Sequence, residues 1–178
     1  MQHRGDNGAQ PDRGKAPEAL APSEPAPPDV IVINDFATIT GGSDQVALAE
    51  AAGLAQRGHR VTLVAGQGGP EPELLEAGVT VRSTDQPTTL ANPNPLRAAA
   101  QGIWNRQAAG LVREVIANTG RRPAVIHIHG FTKVLSASVV RAAVQSHLPT
   151  IATLHDYFAA CPNGGFFNYQ TNEICHLT

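Results

Sequence analysis

The architecture of this chain is set by residues 30–65, VIVINDFATITGGSDQVALAEAAGLAQRGHRVTLVA. Both ends of this stretch, residues 30–34 and 60–65, are short apolar runs rich in β-branched side chains. Such runs are typical of parallel strands that are buried on both faces. Between them, small and apolar side chains recur at the spacing of one helix face. The stretch therefore predicts a strand, a helix of about four turns and a second strand.

The helix in this stretch has start and stop signals. Ser43 is the predicted N-cap, because its hydroxyl can accept a hydrogen bond from a free backbone N–H of the first turn. Asp44 suits the positive end of the helix dipole. Gly58 suits the left-handed residue that often follows a helix. These signals predict a helix between Ser43 and Gly58.

Apolar runs and helical periods go on alternating along the rest of the chain. The further predicted strands cover residues 79–82, 124–129 and 150–154. The further predicted helices run from Asn94-Pro95 to near Gly120 and from about Leu135 to Leu148-Pro149. These crossovers are too long for hairpins, so the pattern predicts the α/β class: a Rossmann-like, mainly parallel sheet with helices on both faces.

Residues 1–28 differ in composition from everything that follows. They are rich in proline and almost free of large apolar side chains, so they cannot bury enough surface to offset the entropy cost of ordering. We predict a disordered tail over residues 1–28 and one Rossmann-like domain over residues 29–178. The net charge of −2 gives no basic surface for nucleic acid.

Cysteine usage and hydropathy bear on localisation. Cys161 and Cys175 are the only cysteines, which does not suit a disulfide scaffold, and no secretory signal opens the chain. No apolar segment approaches the roughly 18 residues of a membrane span. The sequence thus indicates a cytoplasmic protein, with at most peripheral membrane contact.

The loop after the first strand is a candidate site for a phosphate group. Gly41 and Gly42 directly precede a helix, where free N–H groups and the positive dipole end attract anions. The same glycines could serve only to turn the chain from strand to helix, and loop chemistry alone does not separate the two interpretations. A dehydrogenase is excluded, because the G-x-G-x-x-G spacing is absent and the second strand runs into Val64-Ala65-Gly66 without an acidic residue.

Histidines follow two later strands at the same predicted edge of the sheet. His127 and His129 alternate onto one face, and we interpret His127 as a core histidine with satisfied hydrogen bonds. His129, followed by Gly130, is a site candidate that could also simply bind a neighbouring loop. His155 is the strongest candidate for chemistry, because imidazole can donate or accept a proton near neutral pH. Asp156 could orient its ring or cap the following turn.

The spacing of the cysteines does not favour a metal site or a reactive thiol. Structural zinc sites usually carry ligand pairs two to four residues apart, whereas Cys161 and Cys175 form no such pair. Nothing in the sequence marks either thiol as activated. We therefore predict no metal site and no cysteine nucleophile.

Three stretches together resemble one known family. They are DFATITGGSDQVALAEAAGLAQRGHRVTLVAG (35–66), VIHIHG (125–130) and LPTIATLHDYFAACPNGGFF (148–167). They resemble the N-terminal domain of a family 4 retaining glycosyltransferase, which is one half of the two-domain GT-B fold. The resemblance runs from about Val30 to the end of the chain, with a poorly matching middle between Gly66 and about Pro123.

The resemblance implies transfer of a sugar from a nucleoside-diphosphate sugar to a hydroxyl acceptor, such as a glycan, a lipid or a small molecule. It implies a reaction that retains the anomeric configuration and that requires no metal or other cofactor. A phosphate loop, a histidine beside the transferred sugar and an acceptor-side wall are implied. The resemblance assigns the phosphate loop to Gly41, Gly42 and Ser43. It assigns the sugar-binding histidine to His155. It assigns the acceptor side of the cleft to His129, Gly130 and Asp156.

In that family a second domain binds the nucleotide and supplies a pair of glutamates. No counterpart follows Thr178, so we expect the domain to be incomplete at its C-terminus and the 178-residue chain to be inactive alone. The alternative is a non-catalytic nucleotide- or phosphate-binding α/β module. A response regulator would need an acidic cluster after the first strand, an aspartate after the third and a lysine near the fifth. Only Asp35 is available early, and no strand-end lysine appears. A third interpretation is an interaction domain with a vestigial cleft.

Overall fold

A computed structural model describes residues 26–158, 160–161 and 164–175 of the chain. Most of the predicted tail, residues 1–25, lies outside the described residues. The described part contains a five-stranded parallel sheet in the order β3-β2-β1-β4-β5. Its strands are β1 (Asp29–Phe36), β2 (Val61–Gln67), β3 (Thr80–Ser83), β4 (Ala124–Ile128) and β5 (Thr150–Ala152). The predicted Rossmann-like sheet is confirmed, and every pairing in it is parallel.

Five α-helices surround the sheet within the described residues. They are α1 (Gly42–Gln56), α2 (Pro72–Glu76), α3 (Pro95–Ile103), α4 (Arg106–Ala117) and α5 (Ser138–Gln145). A short antiparallel ribbon follows, formed by β6 (Phe167–Asn168) and β7 (Glu173–Ile174).

Two apolar cores form because side chains of β1 alternate between the two faces of the sheet. Val30 and Val32 pack on the face covered by α1 and α2. Ile31 and Ile33 pack on the opposite face, which is covered by α4 and α5. Each fully buried aliphatic side chain stabilises the fold by about 1.5–3 kcal/mol. Helices cover both faces of the sheet, as predicted, and this explains why the strand sequences are continuous apolar runs.

The helices differ from the sequence-based prediction in several places. Helix α5 (Ser138–Gln145) is shorter than the predicted span from about Leu135 to Leu148-Pro149, and the short helix α2 was not predicted. The N-cap of α1 is Gly41, and Ser43 lies inside the helix. The single helix predicted up to Gly120 is two helices, which are separated at Trp104 and Asn105. Asn105 interrupts it because its side chain accepts from the Ala108 amide (3.1 Å) and so caps a new helix.

Candidate functional site

The site is the carboxyl edge of β1 and β4, where the chain order of the sheet reverses. From β1 the chain crosses through α1 to β2, and from β4 it crosses through α5 to β5 on the opposite face. In open α/β sheets, the loops that follow the two strands at such a reversal leave a crevice at this edge. Ligands bind in such crevices.

The glycine loop after β1 is open to solvent. Gly41 and Gly42 are exposed, and a Cβ atom added at either position would meet nothing within 4 Å. Gly41 is extended and Gly42 begins α1, so the first-turn N–H groups face this opening. Ser43 is half-buried in the same turn. The loop thus combines the positive end of α1 with backbone that a ligand can approach closely.

Asp44 gives this loop its shape. Its Oδ2 accepts hydrogen bonds from the backbone N–H (3.2 Å) and the hydroxyl (2.5 Å) of Thr40. Its Oδ1 accepts from the buried Asn34 amide (2.9 Å), which also donates to the Phe36 carbonyl. Asp44 was predicted only as a dipole partner; in the structure it also ties the glycine loop to β1.

Three histidines cluster at the carboxyl ends of β4 and β5. The His127 and His129 rings lie 4.1 Å apart between centroids, on one face as predicted. His129 Nδ1 is 3.0 Å from His155 Nε2, and these two rings are stacked at 20°. His127 has partners at both nitrogens, as predicted for a satisfied histidine, including the Thr153 hydroxyl at Nε2 (2.8 Å).

Glu50 of α1 joins this cluster, and the sequence analysis missed it. Its Oε1 lies 2.5 Å from His127 Nδ1, and its Oε2 lies 3.1 Å from His129 Nε2. Glu50 stands three positions after the buried Ala47 and one before the buried Ala51. A carboxylate beside the buried stripe of a helix was the available signal, because such a group needs a polar partner.

The glycine loop and the histidines are linked through neighbouring residues. A Cβ atom at Gly130 would lie 2.8 Å from Asn34 Oδ1, so only glycine allows the β4 loop to lie against β1 here. Asn34 in turn bonds Asp44 of the glycine loop. Gly130, His129, His155 and Asp156 also line a cavity of about 110 Å³, together with Phe131, Thr132, Leu154 and Phe158.

Comparison with known proteins identifies the family of the chain. The family model described as a glycosyl transferase 4-like domain matches residues 41–171, which is well over half of the chain. The chain belongs to this family. No curated protein and no solved structure matches it significantly. The parallel Rossmann-like sheet is consistent with one half of a GT-B glycosyltransferase.

The surroundings of His129 set its protonation in this glycosyl transferase 4-like domain. Burial and the neighbouring His127 ring lower the pKa of His129 below its usual 6.5, and the Glu50 carboxylate only partly opposes them. The ring is therefore neutral at pH 7. One of its nitrogens then carries a proton and the other is a free acceptor.

Two carboxylates of this domain have structural partners. Asp35 is buried and accepts hydrogen bonds from the amides of Lys133, Val134 and Leu135 at 2.8–3.0 Å. Burial raises the pKa of Asp35 above 3.8, against these three bonds. Asp156 accepts from the Phe158 amide (3.1 Å) and so caps the turn after β5.

Among the described residues, no helix combines the length and the apolar character needed to cross a bilayer.

Proposed function

We propose that this domain is the acceptor-side half of a retaining glycosyltransferase that moves a sugar from a nucleoside diphosphate to a hydroxyl group. One observation carries the proposal: in a chain of this family, an open diglycine helix start lies at the same sheet edge as the His129–His155 pair. The former suits the diphosphate, and the latter suits the sugar.

The diphosphate is assigned to Gly41, Gly42 and Ser43. Negative charge grows on the diphosphate as the glycosidic bond breaks, so fixed N–H donors at that point lower the barrier. The first turn of α1 supplies such donors, and the absence of side chains at both glycines lets phosphate oxygens approach them.

The sugar is assigned to His155. Its Nε2 is held by His129, so Nδ1 of this exposed ring is the nitrogen through which it binds a sugar hydroxyl. His129, Gly130 and Asp156 line the adjoining cavity and form the acceptor side. The resemblance to family 4 enzymes implies that a second domain binds the nucleotide base and ribose. The tests on the 178-residue chain measure binding, because binding to these residues does not require the second domain.

Changing Gly42 to valine will weaken nucleoside-diphosphate binding without unfolding the domain. The Cβ position at Gly42 is open and its φ is not left-handed, so the fold tolerates a side chain. Losing one charge-assisted hydrogen bond costs about 1.5–3 kcal/mol, which is about tenfold or more in affinity. Titration of UDP, GDP and ADP, followed by amide NMR shifts of Gly41, Gly42 and Ser43, measures this.

The matched control is Gly110→Ala, where the Cβ atom also meets nothing within 4 Å but lies on α4. It should bind as the wild-type chain does. The phosphate assignment fails if both variants bind equally, or if the shifted amides lie away from the glycine loop.

Changing His155 to alanine will remove selectivity for the sugar. The wild-type chain should bind a nucleoside-diphosphate sugar more tightly than the bare nucleoside diphosphate. In the variant, the ratio of these two affinities should fall by a factor of about two to ten, because a typical hydrogen bond contributes about 0.5–1.5 kcal/mol. Affinity for the bare nucleoside diphosphate should stay unchanged. Calorimetric titrations with UDP and UDP-glucose, GDP and GDP-mannose, and ADP and ADP-glucose make the comparison. A variant that keeps the full difference contradicts the role of His155 and favours the non-catalytic nucleotide-binding module.

A further inference from the structure

We propose that Glu50, His127 and His129 bind one divalent transition-metal cation, with zinc as the best fit. These three residues are called the Glu50 cluster below. The site goes beyond the proposed sugar transfer, which assigns the diphosphate to the glycine loop. It joins helix α1 to strand β4 beneath the crevice.

The distances in the Glu50 cluster suit a small cation. Its ligand atoms are His127 Nδ1, His129 Nε2 and the Glu50 carboxylate, and all lie within 4.8 Å of one another. Zinc bonded at about 2.1 Å needs tetrahedral ligand atoms about 3.4 Å apart. The carboxylate oxygens lie 2.5 Å and 3.1 Å from the two ring nitrogens, and the two nitrogens lie within 4.8 Å of each other, so changes of at most about 1.4 Å in these distances would admit the ion.

An unpaired buried nitrogen points into the Glu50 cluster. The His129 side chain is 1% exposed, and among the described residues its Nε2 has no hydrogen-bond partner. Glu50 Oε2 is only 3.1 Å away, but the ring is not aligned to donate a proton to it. A buried polar atom without a partner costs about 1–3 kcal/mol. A cation between this nitrogen and the carboxylate would satisfy both.

The outer partners leave both ligand nitrogens free for a metal. His127 Nε2 can donate its proton to the Thr153 hydroxyl (2.8 Å), which leaves Nδ1 bare. His129 Nδ1 can donate to His155 Nε2 (3.0 Å), which leaves Nε2 bare. Metal-binding histidines usually donate their second N–H to such a partner, which fixes the tautomer and the ring.

The donor set selects the type of ion. Two imidazoles and one carboxylate, with room for a fourth ligand, form a set that zinc uses, whereas calcium and magnesium prefer oxygen ligands. The side chains of Glu50 and His127 are 28% and 15% exposed, so water can reach the site and supply the fourth ligand. Because the ion would bind the folded chain, it would also raise stability.

The test titrates the chelator-treated 178-residue chain with zinc by calorimetry and with cobalt(II) by visible absorption. We expect one ion per chain, the d–d bands of four-coordinate cobalt and a melting temperature raised by zinc. Glu50→Gln and His127→Gln should each weaken binding by about 100-fold, since loss of even an outer partner costs 10–100-fold. Both variants should lose the zinc-dependent rise in melting temperature.

Cys175→Ser is the control, because its thiol is a rival zinc ligand outside the cluster. It should bind zinc as the wild-type chain does. The proposal is overturned if the wild-type chain binds no zinc, if Glu50→Gln binds it equally, or if only Cys175→Ser loses it. Melting of each variant without metal checks that it folds. No nucleotide is present, so this result is independent of the proposed transferase function.

Discussion

Replacing Asp35 by alanine will lower the free energy of unfolding by about 3–5 kcal/mol, because two buried and one partly buried N–H groups lose their acceptor at about 1–3 kcal/mol each. The Asp35 carboxylate accepts hydrogen bonds from the backbone amides of Lys133, Val134 and Leu135, and Asp35 is only 3% exposed. These bonds hold the loop after β4 onto the end of β1. Urea unfolding followed by circular dichroism gives the midpoint and the slope.

Asp156→Ala is the matched control for this prediction. Asp156 is also an aspartate that accepts a backbone N–H, but it is exposed, and among the described residues its hydrogen-bond partner is the Phe158 amide alone. Its loss should change stability by about 0.5 kcal/mol or less, as at most surface positions. Equal unfolding midpoints for the two variants would show that Asp35 does not fasten the loop.

The same contacts explain why Asp35 does not support a response-regulator function. An aspartate of the acidic cluster must offer its carboxylate oxygens to a ligand, whereas both oxygens of Asp35 accept hydrogen bonds from backbone amides. Burial raises its pKa above 3.8, which is the direction expected when the charged form is desolvated. Asp35 is therefore a structural residue at the edge of the candidate site.

The sheet could be predicted from the sequence because its signals are local. Residues 30–33 and 63–65 are apolar on both faces, and their burial follows directly from that pattern. The placement of His129 and His155 near one another follows in the same way, since the carboxyl ends of parallel strands share one edge. Local periodicity therefore gave the elements and the edge on which the candidate residues lie.

The partners of the polar residues could not be predicted in this way. Glu50 meets His127 only because β1 pairs with both β2 and β4, and strand order is not encoded in local periodicity. Asn105 breaks the predicted long helix because its amide also donates to the Val134 carbonyl (2.9 Å), a contact 29 residues away. In each case a tertiary hydrogen bond decided the outcome.

Replacing Gly66 by alanine will destabilise the domain by about 2–3 kcal/mol, because the added methyl group overpacks a closed contact. Gly66 lies in β2, and its φ is outside the left-handed region, so the backbone itself accepts alanine. The new Cβ atom, however, would lie 2.5 Å from Val134 Cβ and Cγ1 and 2.9 Å from the Asp35 carbonyl oxygen. Val134 is buried and its amide is held by Asp35, so neither neighbour can move alone.

Gly69→Ala separates this packing effect from any general effect of losing a glycine. Gly69 lies three residues further on, and a Cβ atom there meets nothing within 4 Å. Urea midpoints should fall for Gly66→Ala and stay within about 0.5 kcal/mol of wild type for Gly69→Ala. If the two variants unfold together, the loop after β4 does not pack on β2 as described. The loop after β4, which carries His129 and Gly130, would then lack this packing contact with β2. The measurement therefore also tests the geometry on which the sugar site depends.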